Sequence, residues 1–253
     1  MTKIICVANQ KGGVGKTTTT VNLAACLAAI EKKTLLVDMD PQGNATSGVG
    51  IDKNACDVNI YQVLMGEADI LQAIRPTELQ KLFCVPANGH LTGAEVELVG
   101  MEERELRLKK ALESIETGFD FILIDCPPSL GFLTLNALTA ARSVLIPIQS
   151  EYYALEGLSS LMETIERVKE SLNPDLTIEG AVLTMHDART RLANQVGDEV
   201  KKFFGERIYK TVIPRNVQLS ESPSFGKPII LYDIRSTGAQ AYLNLTKEVV
   251  ARD

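Results

Sequence analysis

The sequence predicts a doubly wound α/β fold, a mostly parallel sheet with helices on both faces. Three observations carry that expectation. Short apolar runs recur along the chain, and most are too uniformly apolar to be half-exposed strands. Longer stretches with helical periodicity separate them. The length of 253 residues and the hydrophobic content of 45% suit one α/β domain, residues 1–253, with a substantial core.

Residues 3–8 (KIICVA) read as a strand that runs into a glycine-rich turn, and residues 17–30 (TTTTVNLAACLAAI) as the helix that follows. Further strands are predicted at 34–38 (TLLVD), 119–125 (FDFILID), 143–148 (SVLIPI), 178–184 (IEGAVLT) and 207–213 (RIYKTVI). Helices are predicted at 103–116, 132–141, 154–172, 191–204 and 238–251. Strands alternating with helices give parallel crossovers, hence the doubly wound sheet. The segment 43–100 is the least periodic part and reads as short helices.

Composition narrows the function classes. No apolar run approaches the roughly 18 residues needed to cross a bilayer, and the first residues lack the layout of a secretory leader, so a cytoplasmic location is expected. The five cysteines, Cys6, Cys26, Cys56, Cys84 and Cys126, form no C-x-x-C pair and read as small core residues. His90 and His186 have no neighbour at metal-ligand spacing. The net charge of −6 argues against a polyanion ligand. Residues 181–253, however, hold 11 Lys/Arg against 8 Asp/Glu, a net of +3, so a polyanion-binding face is to be sought there.

The chemistry concentrates in Lys11, Gly12, Gly13, Val14, Gly15, Lys16, Thr17 and Thr18. The usual phosphate-binding pattern G-x-x-x-x-G-K-[ST] would place glycine at position 10, where this chain has Gln10, and an additional lysine, Lys11, follows. Glycines let backbone amides curl around phosphate oxygens, and the next helix adds its N-terminal partial charge. Lys16 is expected to hold the β- and γ-phosphates and the Thr17 hydroxyl to ligate Mg2+. The metal shell needs an acidic residue at a neighbouring strand end. Asp125 fits, acting through water, because it closes FILID and precedes Cys126, Pro127 and Pro128. Asp38 and Asp40 end the run TLLVDMD before Pro41 and Gly43. Asp40, nearer the loop, is the better candidate to orient an attacking water, the alternative being two carboxylates that cap a turn.

These stretches resemble the ParA/Soj family of chromosome- and plasmid-partitioning ATPases, within the deviant Walker A (MinD/ParA) group. The resemblance rests on KGGVGKTTT (11–19), LLVDMDPQGNATSG (35–48), FILIDCPPSLG (121–131), EYYALEGL (151–158), LTMHDARTRLANQV (183–196) and VIPRNVQLSESPSFGKPIILYD (212–233). It implies an Mg2+-dependent ATPase with catalytic Lys11, Lys16 and Asp40. Lys11 is the implied signature lysine, which reaches the partner's phosphates in an ATP-sandwich homodimer. Gly12 is implied at the subunit contact, Asp40 as the water-positioning residue, and Pro214 and Asn216 as adenine contacts. It further implies that the ATP-bound dimer binds double-stranded DNA non-specifically through Arg189, on the nucleoid, and that a ParB-type partner stimulates hydrolysis. Some relatives carry a second DNA-contacting arginine where this chain has Gln218; Arg191, Arg215, Lys227 or Arg235 are the substitutes available.

Three rival readings share parts of this pattern. A MinD-like membrane-cycling ATPase needs a basic amphipathic C-terminal helix, whereas NLTKEVVARD (244–253) carries only Lys247 and Arg252 against Glu248 and Asp253. An iron–sulfur ATPase needs two cluster cysteines per subunit, and Cys126 and Cys84 are the candidates. A non-catalytic nucleotide-binding scaffold would not need Lys11, Lys16, Thr17, Asp40 and Asp125 together.

Overall fold

In the computed structural model, residues 2–151 and 156–252 are described. The chain builds a seven-stranded sheet in the order β3-β4-β2-β5-β1-β6-β7. The strands are β1 (Lys3–Val7), β2 (Thr34–Asp38), β3 (Arg75–Pro76), β4 (Leu82–Val85), β5 (Phe121–Asp125), β6 (Ser143–Gln149) and β7 (Thr177–Thr184). All pairings are parallel except that of β3 with β4. The helices are α1 (Lys16–Ala29), α2 (Asn44–Gly48), α3 (Ile60–Met65), α4 (Ile70–Ala73), α5 (Leu91–Glu97), α6 (Arg107–Glu113), α7 (Phe132–Ala140), α8 (Glu156–Ser171), α9 (Arg191–Phe204), α10 (Val217–Glu221), α11 (Ile229–Tyr232) and α12 (Thr237–Ala251).

The uniform apolarity of the central strands follows from burial on both faces. Successive strand residues point to opposite sides, so each strand feeds two cores. Ile4, Cys6, Leu35, Val37, Ile122 and Ile124 pack with apolar residues of α3 and α5 to α9 on one face. Ile5, Val7, Leu36 and Leu123 pack on the other with α1, α11 and α12. Cys6, Cys26, Cys84 and Cys126 are core residues, while Cys56 is partly exposed.

Helix starts are marked by short polar side chains that take up open amides. Asn59 and Asp69 form capping boxes with Gln62 and Gln72 at α3 and α4. Thr190, Asn216 and Ser236 accept amide hydrogen bonds at the starts of α9, α10 and α12.

The structure departs from the sequence expectation at three places. Residues 207–213 are not a strand. Ile208 makes one isolated bridge to Ala181 of β7, and just past both segments Pro214 makes another to His186. Between these, the amides of Lys210 and Thr211 turn away to donate to the Glu248 carboxylate, both at 2.8 Å. The helix expected at 103–116 shortens to α6, because Glu103 adopts φ 51, a left-handed conformation no helix interior admits. The segment 43–100 contributes not only helices but also β3 and β4, which form the far edge of the sheet. Of the helix expected at 154–172, residues 154 and 155 lie outside the described residues, and α8 covers Glu156–Ser171.

Candidate active site

Three strands end at one edge in register. Val7 of β1 pairs with Asp125 of β5, and Asp125 pairs with Asp38 of β2. The chain leaves β1 with β5 on one side and β6 on the other, the point at which an open α/β sheet forms its ligand crevice. The loop from Asn9 to Gly15 crosses that crevice. Asn9 is nearly buried and fastens it at one end, donating to the Pro147 carbonyl at 2.8 Å and accepting the Lys11 amide at 3.0 Å. The Thr184 hydroxyl holds the Val14 carbonyl at 2.8 Å, pinning the loop to the end of β7.

Gly13 and Gly15 have φ 75 and 85, so the tight turn depends on residues without a Cβ. Helix α1 begins at Lys16 with no side-chain cap, which leaves its first amides open toward the loop. That is the cradle a phosphate needs. The Lys16 ammonium turns back over the loop and donates to the Lys11 carbonyl at 3.1 Å. Burial pushes its pKa below the usual lysine value, and Asp125, Cys126 and Asp40 pull it back up.

Asp125 and Asp38 are both fully buried. Burial raises the Asp125 pKa, and the Asp38 charge adds to the shift, while the hydroxyls of Thr17 and Thr20 oppose it. Thr20 donates to Asp125 Oδ1 at 2.8 Å, whereas Oδ2 is buried with no hydrogen-bond partner. An orphaned carboxylate oxygen beside Thr17, Lys16 and an open helix start is the donor set a phosphate-bound divalent cation completes, so the residues present fit Mg2+.

Asp38 is committed to the scaffold. Its Oδ2 accepts the Thr46 amide and hydroxyl at 2.8 and 2.7 Å, and Oδ1 accepts the Asp40 amide at 3.1 Å. Burial raises its pKa, with those hydrogen bonds opposing. Asp40 lies beyond the strand, accepts the Gln42 amide at 2.9 Å, and is close enough to act on Lys16. The two carboxylates are therefore divided: Asp38 is taken up by the scaffold, and Asp40, the one preferred from the sequence, lies within reach of the Lys16 charge.

Beside the loop opens a cleft of about 280 Å³ lined by Gly15, Thr18, Met185, Pro214, Asn216 and Tyr242, among others. Pro214 and Asn216 thus share a cleft with the end of the loop and the start of α1. Asn216 is also a structural cap: its Oδ1 accepts the Leu219 amide at 3.0 Å and its Nδ2 donates to Thr237 at 3.1 Å.

Arg189 points outward, whereas the Lys11 side chain is 30% exposed. The Lys11 ammonium pairs with Glu151 at 3.1 Å. A Cβ added at Gly12 would meet nothing within 4 Å. Arg189 lies in the loop before α9 with its side chain 89% exposed, held by Asp187 through Nε at 2.9 Å and Nη2 at 2.8 Å. The positive balance of the C-terminal segment is also muted on α9, where Lys201 and Lys202 pair with Asp198 and Glu199.

Sequence reasoning passed over Asn9, Thr20, Met185, Glu151 and Tyr242. Only Thr20 carried a local signal: it stands in the run Thr17–Thr20 one turn after Lys16, on the face turned to β5. Cys126 Sγ lies 3.2 Å from Cys6 Sγ in the core and Cys84 is fully buried in β4, an arrangement of packed thiols. Among the described residues, no helix is long and apolar enough to cross a membrane. The apolar face of α12, with Tyr242, Leu245 and Val249, is packed into the core against α1.

Comparison with known proteins agrees with this geometry. A family model described as an AAA domain matches residues 2–178. The chain is 61% identical over 251 residues to the sporulation initiation inhibitor protein Soj of Bacillus subtilis, covering 99% of both chains. It is 59% identical to the chromosome partitioning protein ParA of Myxococcus xanthus, covering 99% of this chain and 89% of that one. Among solved structures, a protein from Mycobacterium smegmatis described as cobyrinic acid a,c-diamide synthase with bound ADP and magnesium superposes with a TM-score of 0.87 at 37% identity, covering 100% of this chain and 95% of that one. With the loop, the strand-end aspartates and full-length relatives in agreement, the chain belongs to the ParA/Soj family of chromosome-partitioning ATPases.

Proposed function

We propose that the whole chain, residues 1–253, is one P-loop ATPase domain that works as a DNA-segregation switch. ATP binding closes a homodimer, the dimer holds double-stranded DNA of any sequence on the nucleoid, and hydrolysis stimulated by a ParB-type centromere-binding protein releases it. The observation that carries this reading is the division of labour between two lysines in one loop. Lys16 is buried and turned back over the loop, while the less buried Lys11 reaches Glu151 and stands beside Gly12, where an added Cβ meets nothing. A buried lysine over the cradle suits the subunit's own phosphates; a second, more accessible one suits a partner's.

In this reading the loop amides and Lys16 bind the β- and γ-phosphates of ATP, with Pro214 and Asn216 beside the base. Thr17, and Asp125 through water, hold Mg2+, which when bound neutralises phosphate charge. Asp40 positions the water for in-line attack on the γ-phosphate. Lys11 enters from the partner and stabilises charge on the transferring group, as an arginine finger does. Requiring a partner's lysine couples hydrolysis to dimerisation. Arg189 contributes to the DNA face, and each phosphate neutralised there steepens the fall of affinity by about 0.9 log units per log unit of salt. Two copies per dimer double the contacts without altering either face.

The test is binding to a random-sequence duplex at fixed low salt with ATP, ADP or no nucleotide. Binding with ATP alone, lost in Arg189→Ala and in Gly12→Val, is expected. Lys16→Ala should lose ATP binding, and Asp40→Ala should stay on DNA without turnover. Binding indifferent to nucleotide would remove DNA as the track of the switch, and Asp40→Ala hydrolysing at the parent rate would remove Asp40 from its role.

A further inference from the structure

We propose that Glu151 is a latch: in the free subunit its carboxylate holds Lys11 away from any phosphate, and the contact must open before Lys11 can act. The inference rests on the reading of Lys11 as a phosphate-contacting lysine of a dimeric site.

The backbone of Lys11 is fixed on both sides. Its amide is bound by Asn9 at 3.0 Å and its carbonyl by the Lys16 ammonium at 3.1 Å. What remains free to move is the side chain, and that side chain ends on Glu151 Oε2 at 3.1 Å. The carboxylate is itself prepared for the contact. Gln149, the last residue of β6, donates its side-chain amide to Glu151 Oε1 at 2.5 Å, and its carbonyl accepts the Glu151 amide at 2.8 Å. Arg215 Nη2 stands 4.0 Å from the same Oε1, on the wall that carries Pro214 and Asn216.

Glu151 therefore sits between two cations, one on the phosphate loop and one on the cleft wall, and ties the mouth of the crevice across. An ammonium seated on a carboxylate cannot at the same time neutralise a phosphate, so the resting contact and the active contact exclude each other. The side chains of Lys11 and Glu151 are 30% and 46% exposed, which limits the strength of the latch. A pair of that exposure shifts an equilibrium roughly two- to five-fold. A latch that weak biases dimer closure without preventing it.

The test uses the full chain with Mg2+ and a non-hydrolysable ATP analogue, reading the protein concentration at half-dimerisation by sedimentation. Glu151→Gln and Glu151→Asp, the second keeping the charge but withdrawing it, are both expected to lower that concentration two- to five-fold at low salt. The difference should fade near 1 M salt, where exposed pairs are screened, and the analogue affinity of dilute monomer should not move. A midpoint that is unchanged or raised in both variants overturns the latch. Lys11→Ala separates the two levels: if it dimerises and hydrolyses like the parent, the reading of Lys11 is wrong and the latch falls with it. If Lys11→Ala is inactive while the Glu151 variants behave as the parent does, the latch alone is refuted.

Discussion

Asp125→Asn should make the nucleotide-free protein more stable while removing the response to Mg2+. Asp38 and Asp125 are register partners on adjacent strands, both fully buried. Neighbouring strands lie about 4.8 Å apart. Two carboxylates at about 5 Å repel by roughly 3 kcal/mol at an effective dielectric of about 20. Lys16 offsets part of this, so the net gain expected from Asn is about 1–2 kcal/mol, or about 2–8 °C in Tm for a chain of this size. The amide also gives the orphaned Oδ2 position a group that can donate toward Asp38.

The pH dependence has a definite sign. Burial raises the pKa of both carboxylates, so above pH 4 the folded state binds more protons than the unfolded state. Stability of the parent then falls as pH rises, and the advantage of the variant grows in the same direction. Thermal melts of parent and variant without nucleotide at pH 5 and pH 8, and with Mg2+ and ATP at pH 8, test this. The parent should gain most from Mg2+ and ATP, and the variant little. A variant that melts below the parent at pH 8, or a gap that is equal at both pH values, would refute the reasoning.

Other outcomes follow from single contacts. Gly43 has φ 61 and an added Cβ would stand 2.6 Å from the Ala87 carbonyl oxygen, so Gly43→Ala should cost about 2–4 kcal/mol in urea unfolding. The buried Thr46 hydroxyl joins Asp38 Oδ2 to the Ala87 amide at 2.7 and 2.9 Å, and Thr46→Val should lower stability by about 1–3 kcal/mol. Hydrogen bonds from Arg189 hold the Asp187 pKa down at about 2. That contribution is present above pH 3.8 and lost as pH falls toward about 2; NMR titration should show the Asp187 carboxyl returning toward 3.8 in Arg189→Ala.

Much of the phosphate site was legible because its chemistry needs contiguous residues: a loop of glycines, a lysine and a threonine at a helix start cannot be spread along a chain. Asp125 was legible because two prolines stop its strand at the right edge. Position along the run favoured Asp40 over Asp38, but the structural role of Asp38 was not legible, since the Thr46 contact that commits it depends on how α2 returns to the strand. The run RIYKTVI alternates as a strand should, yet the capture of two of its amides by Glu248, 38 residues away from Lys210, decides otherwise. β4 escaped notice because it is four residues long and Phe83 within it is half-buried. Arg189 was singled out by resemblance alone, and its pairing with Asp187 depends on the bend of the loop before α9.

The cleft beside the phosphate loop joins the two ends of the chain. Gly15 and Thr18 form one wall, Pro214, Asn216 and Tyr242 another, and the Tyr242 hydroxyl meets that of Thr19 at 3.1 Å in the core. During synthesis at about 5–20 residues per second, the loop leaves the ribosome well before the wall that faces it exists. A nascent chain therefore has the residues of the loop for many seconds before those that pin it, Pro147 and Thr184, and before the opposite wall of the cleft. Birth of the polypeptide and completion of the cleft are separated in time.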